Sequence, residues 1–420
     1  MSRRELCSYR WDGTKWAIVT KSFHSELESK SSVNIGTNVK NTVPKANEPI
    51  RIATFNILAD CFSWFIEMAI RSAERYEWLC NGIINLNPTI IGLNEVTINA
   101  LQRAERYEWL CNGIINLNPT IIGLNEVTIT ALQRLQECSF IRENYFITEI
   151  FDGNNNGNTN LLFPHWCVIL SKLPLIEVFA ISVSGRKREA IVGKVQLGST
   201  IETCVYICAH HATPYKKVQN TQLRAQQIRD IIDVLVPLNH PFIIMGDLNL
   251  YYEFEDTIVI DNKLIDAWAQ THFSSKYPFN DKNIGYTFDA LKNTLIPYYI
   301  PGACRQMRLD RILFSHGFPA LAITPCTIWA NEPIKSDDYL FPSDHFGLFI
   351  DIVLESTDNN KQSEITMMSL SKPDPSAEEI LRHNAQNNND QRPYRLGLVR
   401  TTIALTSHVA WLGAKALGFK

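Results

Sequence analysis

The sequence predicts an α/β fold, on three observations. From Arg51 to about Glu355, short β-branched runs alternate with helical segments, a rhythm that places strands and covering helices in one layered domain. Several of those runs end abruptly on polar groups, as Phe242-Ile243-Ile244-Met245 does on Gly246-Asp247, so buried strands deliver acids to the rim of a sheet. With 420 residues, 45% hydrophobic and 20% charged, the chain can bury a core larger than one average domain needs.

Residues 1 to 50 are polar and mixed. Trp11 and Trp16 flank an Asp12-Gly13 turn signal suited to a small hairpin, and Ser25 to Pro49 reads as a linker. The catalytic-type domain is expected over 51 to 355. Residues 356 to 394, rich in Asn, Gln, Ser and Asp, are expected to be largely disordered. The apolar segment from 395 to 420 is interrupted by Arg400, His408 and Lys415, which favours a docked or interfacial helix over a membrane span. No secretory signal is visible in the first thirty residues. The ten cysteines include no CxxC pair, and several sit in apolar runs, which suits buried thiols in a reducing compartment. An intracellular monomer of the nucleus or cytoplasm is therefore expected.

A tandem duplication interrupts the domain: Ala73 to Arg103 recurs as Ala104 to Arg134 with Asn99 against Thr130 as the sole difference. Stacked solenoids need more units with distinct caps. One copy is therefore read as native to the core and the other as an insertion. Each copy carries a helix-like part, a strand-like part and one acid, Glu95 or Glu126. The unbroken helical run Ala131 to Glu137 after the second copy favours Glu126.

A net charge of -3 argues against coating nucleic acid through bulk charge. Local clusters, Arg186-Lys187-Arg188, Lys216-Lys217 and Arg305/Arg308/Arg311, are candidates for phosphate contacts against the plainer reading of solvated surface charge. The chemistry is carried by Thr54-Phe55-Asn56, Gly246-Asp247-Leu248-Asn249, Leu309-Asp310-Arg311 and Ser343-Asp344-His345, which together read as a metal-dependent phosphodiester-cleaving site. Hard oxygen ligands suit magnesium, with manganese as the substitute, and a lone Glu at a strand end is a sensible primary ligand. The lack of paired His/Cys ligands makes zinc improbable.

In this reading Asp247 orients and deprotonates water, and strand alternation places Asn249 on the same face to bond the developing oxyanion. Asn56 holds Asp247 or a phosphate oxygen in register. His345 is the proton donor, with Asp310 fixing its tautomer and raising its pKa; the plainer role for Asp310 is a salt bridge with Arg308 or Arg311. Asp344 reaches a metal-bound water. Of His210 and His211, which close the run Val205 to Ala209, alternation lets one face the site.

These motifs, with Asn-Glu-Val in the repeat, resemble the endonuclease/exonuclease/phosphatase superfamily of magnesium-dependent phosphoesterases. Leu264 to Trp268, Gly285 to Asp289, Arg308 to Phe314 and Phe341 to Leu348 look most like the 5′-tyrosyl-DNA phosphodiesterases, which release a topoisomerase tyrosine from a DNA 5′ end. The resemblance implies a four-layer α/β sandwich, two mixed β-sheets flanked by helices with the site at their edge. It also implies catalytic roles for Asn56, Glu126 or Glu95, Asp247 and His345, and favours His211 over His210. DNA ends with 5′ adducts are the implied partner. An RNA deadenylase-like or abasic-site nuclease, or a non-catalytic scaffold, are the alternatives. Two departures touch substrate contacts: His210-His211-Ala212-Thr213 stands where the family commonly has Ser/Thr-His-Leu-Glu, and Tyr251-Tyr252-Glu253 stands where it tends to place an arginine.

Overall fold

The computed structural model describes residues 3–19, 44, 48–58, 106–151, 165–185, 188–198, 203–273, 284–299, 305–334, 340–354, 368–372 and 374–387. Two large mixed sheets lie face to face. One has seven strands in the order Arg3–Glu5, Glu177–Val183, Arg188–Gln196, Cys204–Ala209, Phe242–Asp247, Asp310–Ser315, Leu264–Asp266. The other is centred on Gly347–Leu354, Ile50–Asn56, Ile121–Val127 and Trp166–Ser171.

Side-chain alternation explains the layers. In the strand Ile50–Asn56, Ile50 and Ile52 enter the core between the sheets with Ile207, Ile243 and Ile312 of the facing sheet. Ala53 and Phe55 point the other way and pack on Leu110 and Ile114 of the helix at 106–117. On the outer face of the seven-stranded sheet, Ile228, Ile231 and Leu235 of the helix Val218–Leu235 recur at helical spacing and cover Phe179, Tyr206 and Ile244. The result is helix, sheet, sheet, helix, the sandwich that the resemblance implies.

The second repeat copy supplies the helix at 106–117 and the strand Ile121–Val127, which lies parallel to Ile50–Asn56 with Asn56 opposite Asn125. The first copy, Glu95 included, lies outside the described residues, as do Arg186, Lys187 and the segment 395–420. The expected hairpin is present: Ser8–Trp11 pairs with Trp16–Val19, and the Asp12 carboxylate accepts from the Thr14 and Lys15 amides at 2.8 and 2.9 Å. It extends the ten-stranded sheet, while Arg3–Glu5 adds an edge to the other, so the polar N-terminal segment is woven into both.

The segment expected to be disordered needs correction. Met368–Ser369 pairs with Ala320–Ala322, and the helix Pro375–Asn387 buries Ala377 and Leu381 against the main core. A polar average over 356–394 hides these few apolar residues. Asp374 accepts from the Ser376 amide at 2.8 Å and so starts the helix, and the Gln270 side chain donates to the Ser369 carbonyl at 2.9 Å. Among the described residues, no helix is long and apolar enough to cross a membrane.

Arg308 and Arg311, candidates for phosphate contacts or solvated surface charge, are instead buried and committed. Both reach Asp266, at 2.7 and 2.8 Å, and both reach Asp256, at 3.3 and 2.9 Å. They clamp the strand Leu264–Asp266 and the preceding helical turn onto the strand Asp310–Ser315. Burial by itself would raise the Asp266 carboxyl, but the two guanidinium groups hold it down at about 2. Because the folded-state value is depressed, this carboxylate's stabilisation is complete above about pH 4 and is lost as the pH falls through about 2. Asp266→Ala should cost about 3–5 kcal/mol in urea unfolding, by leaving two buried cations to share Asp256 alone. A loss below 1 kcal/mol would contradict the clamp.

Candidate active site

Six strands from the two sheets bring their functional ends to one place. Asn56 and Asp247 terminate their strands, and His211 follows Cys204–Ala209. Asp310 opens an antiparallel strand paired directly opposite Asp247. His345 stands two residues before the strand Gly347–Leu354.

The approach of Phe242–Asp247 to its neighbours requires glycine. Gly246 has φ +137°, and a Cβ there would lie 2.1 Å from the His210 carbonyl oxygen. This close passage lets the Asp247 amide donate to Asn125 Oδ1 at 2.9 Å, tying the two sheets together beside the acid. Glu126 is aimed by a different device. The register with Trp166–Ser171 shifts between Leu124 and Val127, and Glu126 adopts φ 59°, a left-handed conformation that costs a non-glycine residue roughly 1–3 kcal/mol. The bulge turns a half-buried carboxylate toward its neighbours.

Asn56 is fully buried and joins the two acids: its Nδ2 donates to Glu126 Oε1 at 3.2 Å and to Asp247 Oδ2 at 3.1 Å. Its Oδ1 accepts from the Leu58 amide at 3.1 Å, which fixes the carboxamide orientation. Ser343 ties the next segment in, donating to the Asn56 carbonyl at 2.7 Å and accepting from the His345 amide at 3.2 Å. His345 Nδ1 lies 2.7 Å from Asp310 Oδ2, and its Nε2 lies 3.8 Å from Asp247 Oδ2. The Asp310 and Leu309 amides share Thr287 Oγ1 at 3.0 and 3.1 Å, so the orienting acid is itself held. Asp310 therefore serves His345 rather than Arg308 or Arg311.

Burial would lower His345, but the charges of Asp310, Asp247 and Asp344 outweigh it and hold the imidazole well above its ordinary value, as a cation. Asp247 is pushed upward chiefly by burial, with Asp310 and Glu126 adding to the shift and His345 opposing it. His211 behaves in the opposite way: burial, then Arg188 and the neighbouring histidines, keep it neutral. Its Nε2 lies 3.5 Å from Asp247 Oδ2 and 3.8 Å from Glu126 Oε1. His210 points elsewhere and is depressed to about 3 by burial, so the pair divides as alternation requires.

Two expectations are realised differently. The strand ends at Asp247, and Asn249 has φ 50°, so simple alternation does not govern it. Its Nδ2 donates to the Ala212 carbonyl at 3.1 Å, and its amide donates to Asp247 Oδ1 at 2.9 Å. Asn249 thus braces the loop after His211. Asp344 is buried beside Ser343 Oγ at 3.3 Å and stands outside both tight ligand clusters, Glu126/His211/Asp247 and Asp247/Asp310/His345.

Sequence reading passed over several supports. Asn125 and Thr287 fall inside recognised motifs without a role of their own there, and His165, whose ring lies 5.4 Å from His211, follows no recognisable signal. Arg188, signalled by its basic cluster, donates from Nη1 to the His211 carbonyl at 2.8 Å and adds a half-buried cation beside Asp247 and Glu126. The carboxylates of Glu126 and Asp247, gathered with His211 and without any thiolate, form a donor set that suits a hard divalent cation.

No curated protein matches the sequence. Solved structures resembling the chain include truncated Caenorhabditis elegans TDP2, at 17% identity over 73% of this chain and 98% of that one with a TM-score of 0.48. D. rerio TDP2 complexed with single strand DNA product is similar at 18% identity over 73% and 99%, with a TM-score of 0.47. The human Nocturnin catalytic domain with bound sulfate is similar at 17% over 73% and 94%, with a TM-score of 0.43. The pattern of the Endonuclease/Exonuclease/phosphatase family matches residues 53–345, from the strand that carries Asn56 to His345 itself. With most of its length inside that match, the chain belongs to the Endonuclease/Exonuclease/phosphatase family and is a phosphodiesterase/nuclease hydrolase.

Proposed function

We propose that the chain hydrolyses a nucleic-acid phosphodiester in a magnesium-dependent reaction, and that its substrate is a DNA 5′ end bearing a tyrosyl adduct. The observation that carries the hydrolytic reading is the continuous line of contacts Asp310, His345, Asp247, Asn56, Glu126 at the joint edge of two sheets. The tyrosyl-DNA substrate rests on the motif resemblance at Leu264–Trp268, Gly285–Asp289 and Phe341–Leu348.

Glu126 is the principal residue to hold the cation, with Asn56 and Asp247 beside it and Asp344 farther out. A bound magnesium ion supplies charge neutralisation for the phosphate, and manganese can replace it. Asp247, whose Oδ2 is fixed by Asn56 and whose Oδ1 accepts from Asn249, is the base that orients water and takes its proton. His345, cationic and locked by Asp310, offers its Nε2 proton to the phosphoryl oxygens. His211, neutral and within 3.5 Å of Asp247, supplies a second hydrogen bond to the same phosphate.

Asp247→Asn and His345→Ala should each lower turnover of a 5′-tyrosyl oligonucleotide by about 10²- to 10⁴-fold while leaving the far-UV circular dichroism spectrum unchanged. Retained turnover in either purified variant would refute its assigned role. Running the wild-type enzyme in parallel on a poly(A) strand and an abasic duplex decides the substrate, since preference for either would replace the tyrosyl-DNA reading. Chelation should abolish cleavage and magnesium should restore it, a result that zinc alone would not reproduce. Glu126→Gln should be inactive and Glu95→Gln active in the same assay; equal activities would contradict the assignment of the metal site to the second repeat copy.

A further inference from the structure

Resting on the phosphodiesterase reading, we propose that the loop Thr213–Lys217 is a nucleotide-binding subsite for a single-stranded end, in which Tyr215 stacks a nucleobase and Lys216 meets its phosphate. The loop begins where Ala212 donates its amide to the Asp247 carbonyl, so it leaves directly from the candidate active site.

Tyr215 is an unusual tyrosine. It is 68% exposed and has φ 76°, the left-handed region that a bulky residue rarely occupies. An unconstrained loop would relax out of that conformation, but this one is gripped along its length. Buried Arg224 donates from Nη1 to the Thr213 carbonyl at 3.1 Å and to the Tyr215 carbonyl at 2.9 Å, while its Nε is held by Glu255 at 2.8 Å. Asn220 donates to the Pro214 carbonyl at 2.7 Å, the Tyr215 amide donates to Tyr251 Oη at 3.2 Å, and Tyr252 donates to the Lys216 carbonyl at 3.0 Å. The protein thus spends buried hydrogen bonds to hold an aromatic ring in water. Strain maintained in this way, next to a reactive centre, is a mark of a binding feature, and a fixed exposed ring is what a nucleobase stacks upon.

Lys216 supplies the charge. Its Nζ is buried, has no hydrogen-bond partner among the described residues, and lies 5.7 Å from the centre of the Tyr251 ring. Burial, with Arg305 adding to it, lowers this ammonium to about 8, so it remains cationic at neutral pH, with no salt bridge to an acid among the described residues. Tyr251 is where the family tends to place an arginine, four residues after Asp247. A phosphate entering there completes the hydrogen bonding of Lys216, while the other cation over the Tyr251 ring, Arg224 at 5.1 Å, is already committed.

The test is binding of a fluorescein-labelled single-stranded DNA oligonucleotide to the full chain in chelator, followed by anisotropy across a salt series. No turnover is needed, so failure of the hydrolytic reading in the cleavage assay and failure of this subsite are separate results. Tyr215→Ala should weaken Kd about tenfold, whereas Tyr215→Phe, which keeps the ring, should stay within about twofold of wild type. Lys216→Gln should reduce the slope of log Kd against log salt by about one. Absence of oligonucleotide binding by the wild-type chain, or wild-type affinity in Y215A together with a wild-type salt slope in K216Q, would overturn the proposal. Unchanged melting temperatures in all three variants would confirm that the readout is the subsite and not the fold.

Discussion

The Asn56 carboxamide is the contact on which the rest of the site depends. It is buried at the end of a strand in one sheet, and its Nδ2 binds Asp247 at the end of a strand in the other. The same nitrogen reaches Glu126, so one neutral amide sets the spacing of two acids that would otherwise repel each other. Burying polar groups is costly unless each finds a partner, and here the partners lie across the inter-sheet seam. The seam therefore has to close correctly for the acids to be tolerated at all. Asn125 repeats the arrangement one strand away, receiving the Asp247 amide.

Around that seam, structural and chemical electrostatics are kept apart. Arg308 and Arg311 flank Asp310 in sequence, yet both turn to Asp256 and Asp266, where they lower an acid. Asp310 is left to His345 and raises a base. Three neighbouring charges, Arg308, Asp310 and Arg311, thus serve opposite ends: two lock a neighbouring element to the sheet, and one raises the His345 imidazole. The loop after His211 follows the same logic, with Arg224 committed to carbonyls and Glu255 while Lys216 Nζ has no hydrogen-bond partner among the described residues.

The α/β class was legible because continuous apolar runs such as Phe242–Met245 mark buried strands, and the acids at their ends mark the rim, whereas the two-sheet sandwich followed from the family resemblance. The Asp310–His345 pairing was also legible, since a histidine needs an orienting acid. Contacts made by unremarkable residues were not. Thr287, Ser343 and Asn125 lie inside motifs read from the sequence, but which groups they hold depends on where the fold puts them. The helix Pro375–Asn387 was hidden because two buried docking side chains, Ala377 and Leu381, do not alter the polar average of its segment.

Composition and local pattern, set by the chain alone, determined the α/β class, the acid-bearing strand ends and the presence of two equivalent candidates in the duplicated segment. Only tertiary structure decided that the second copy pairs with Ile50–Asn56, that Glu126 is re-aimed by a bulge, and that Asn249 braces a backbone loop. The physical reason is that period and hydrophobicity are properties of neighbours along the chain. Register between strands and the choice of partner for a buried charge are settled by competition among residues brought together from distant parts of it.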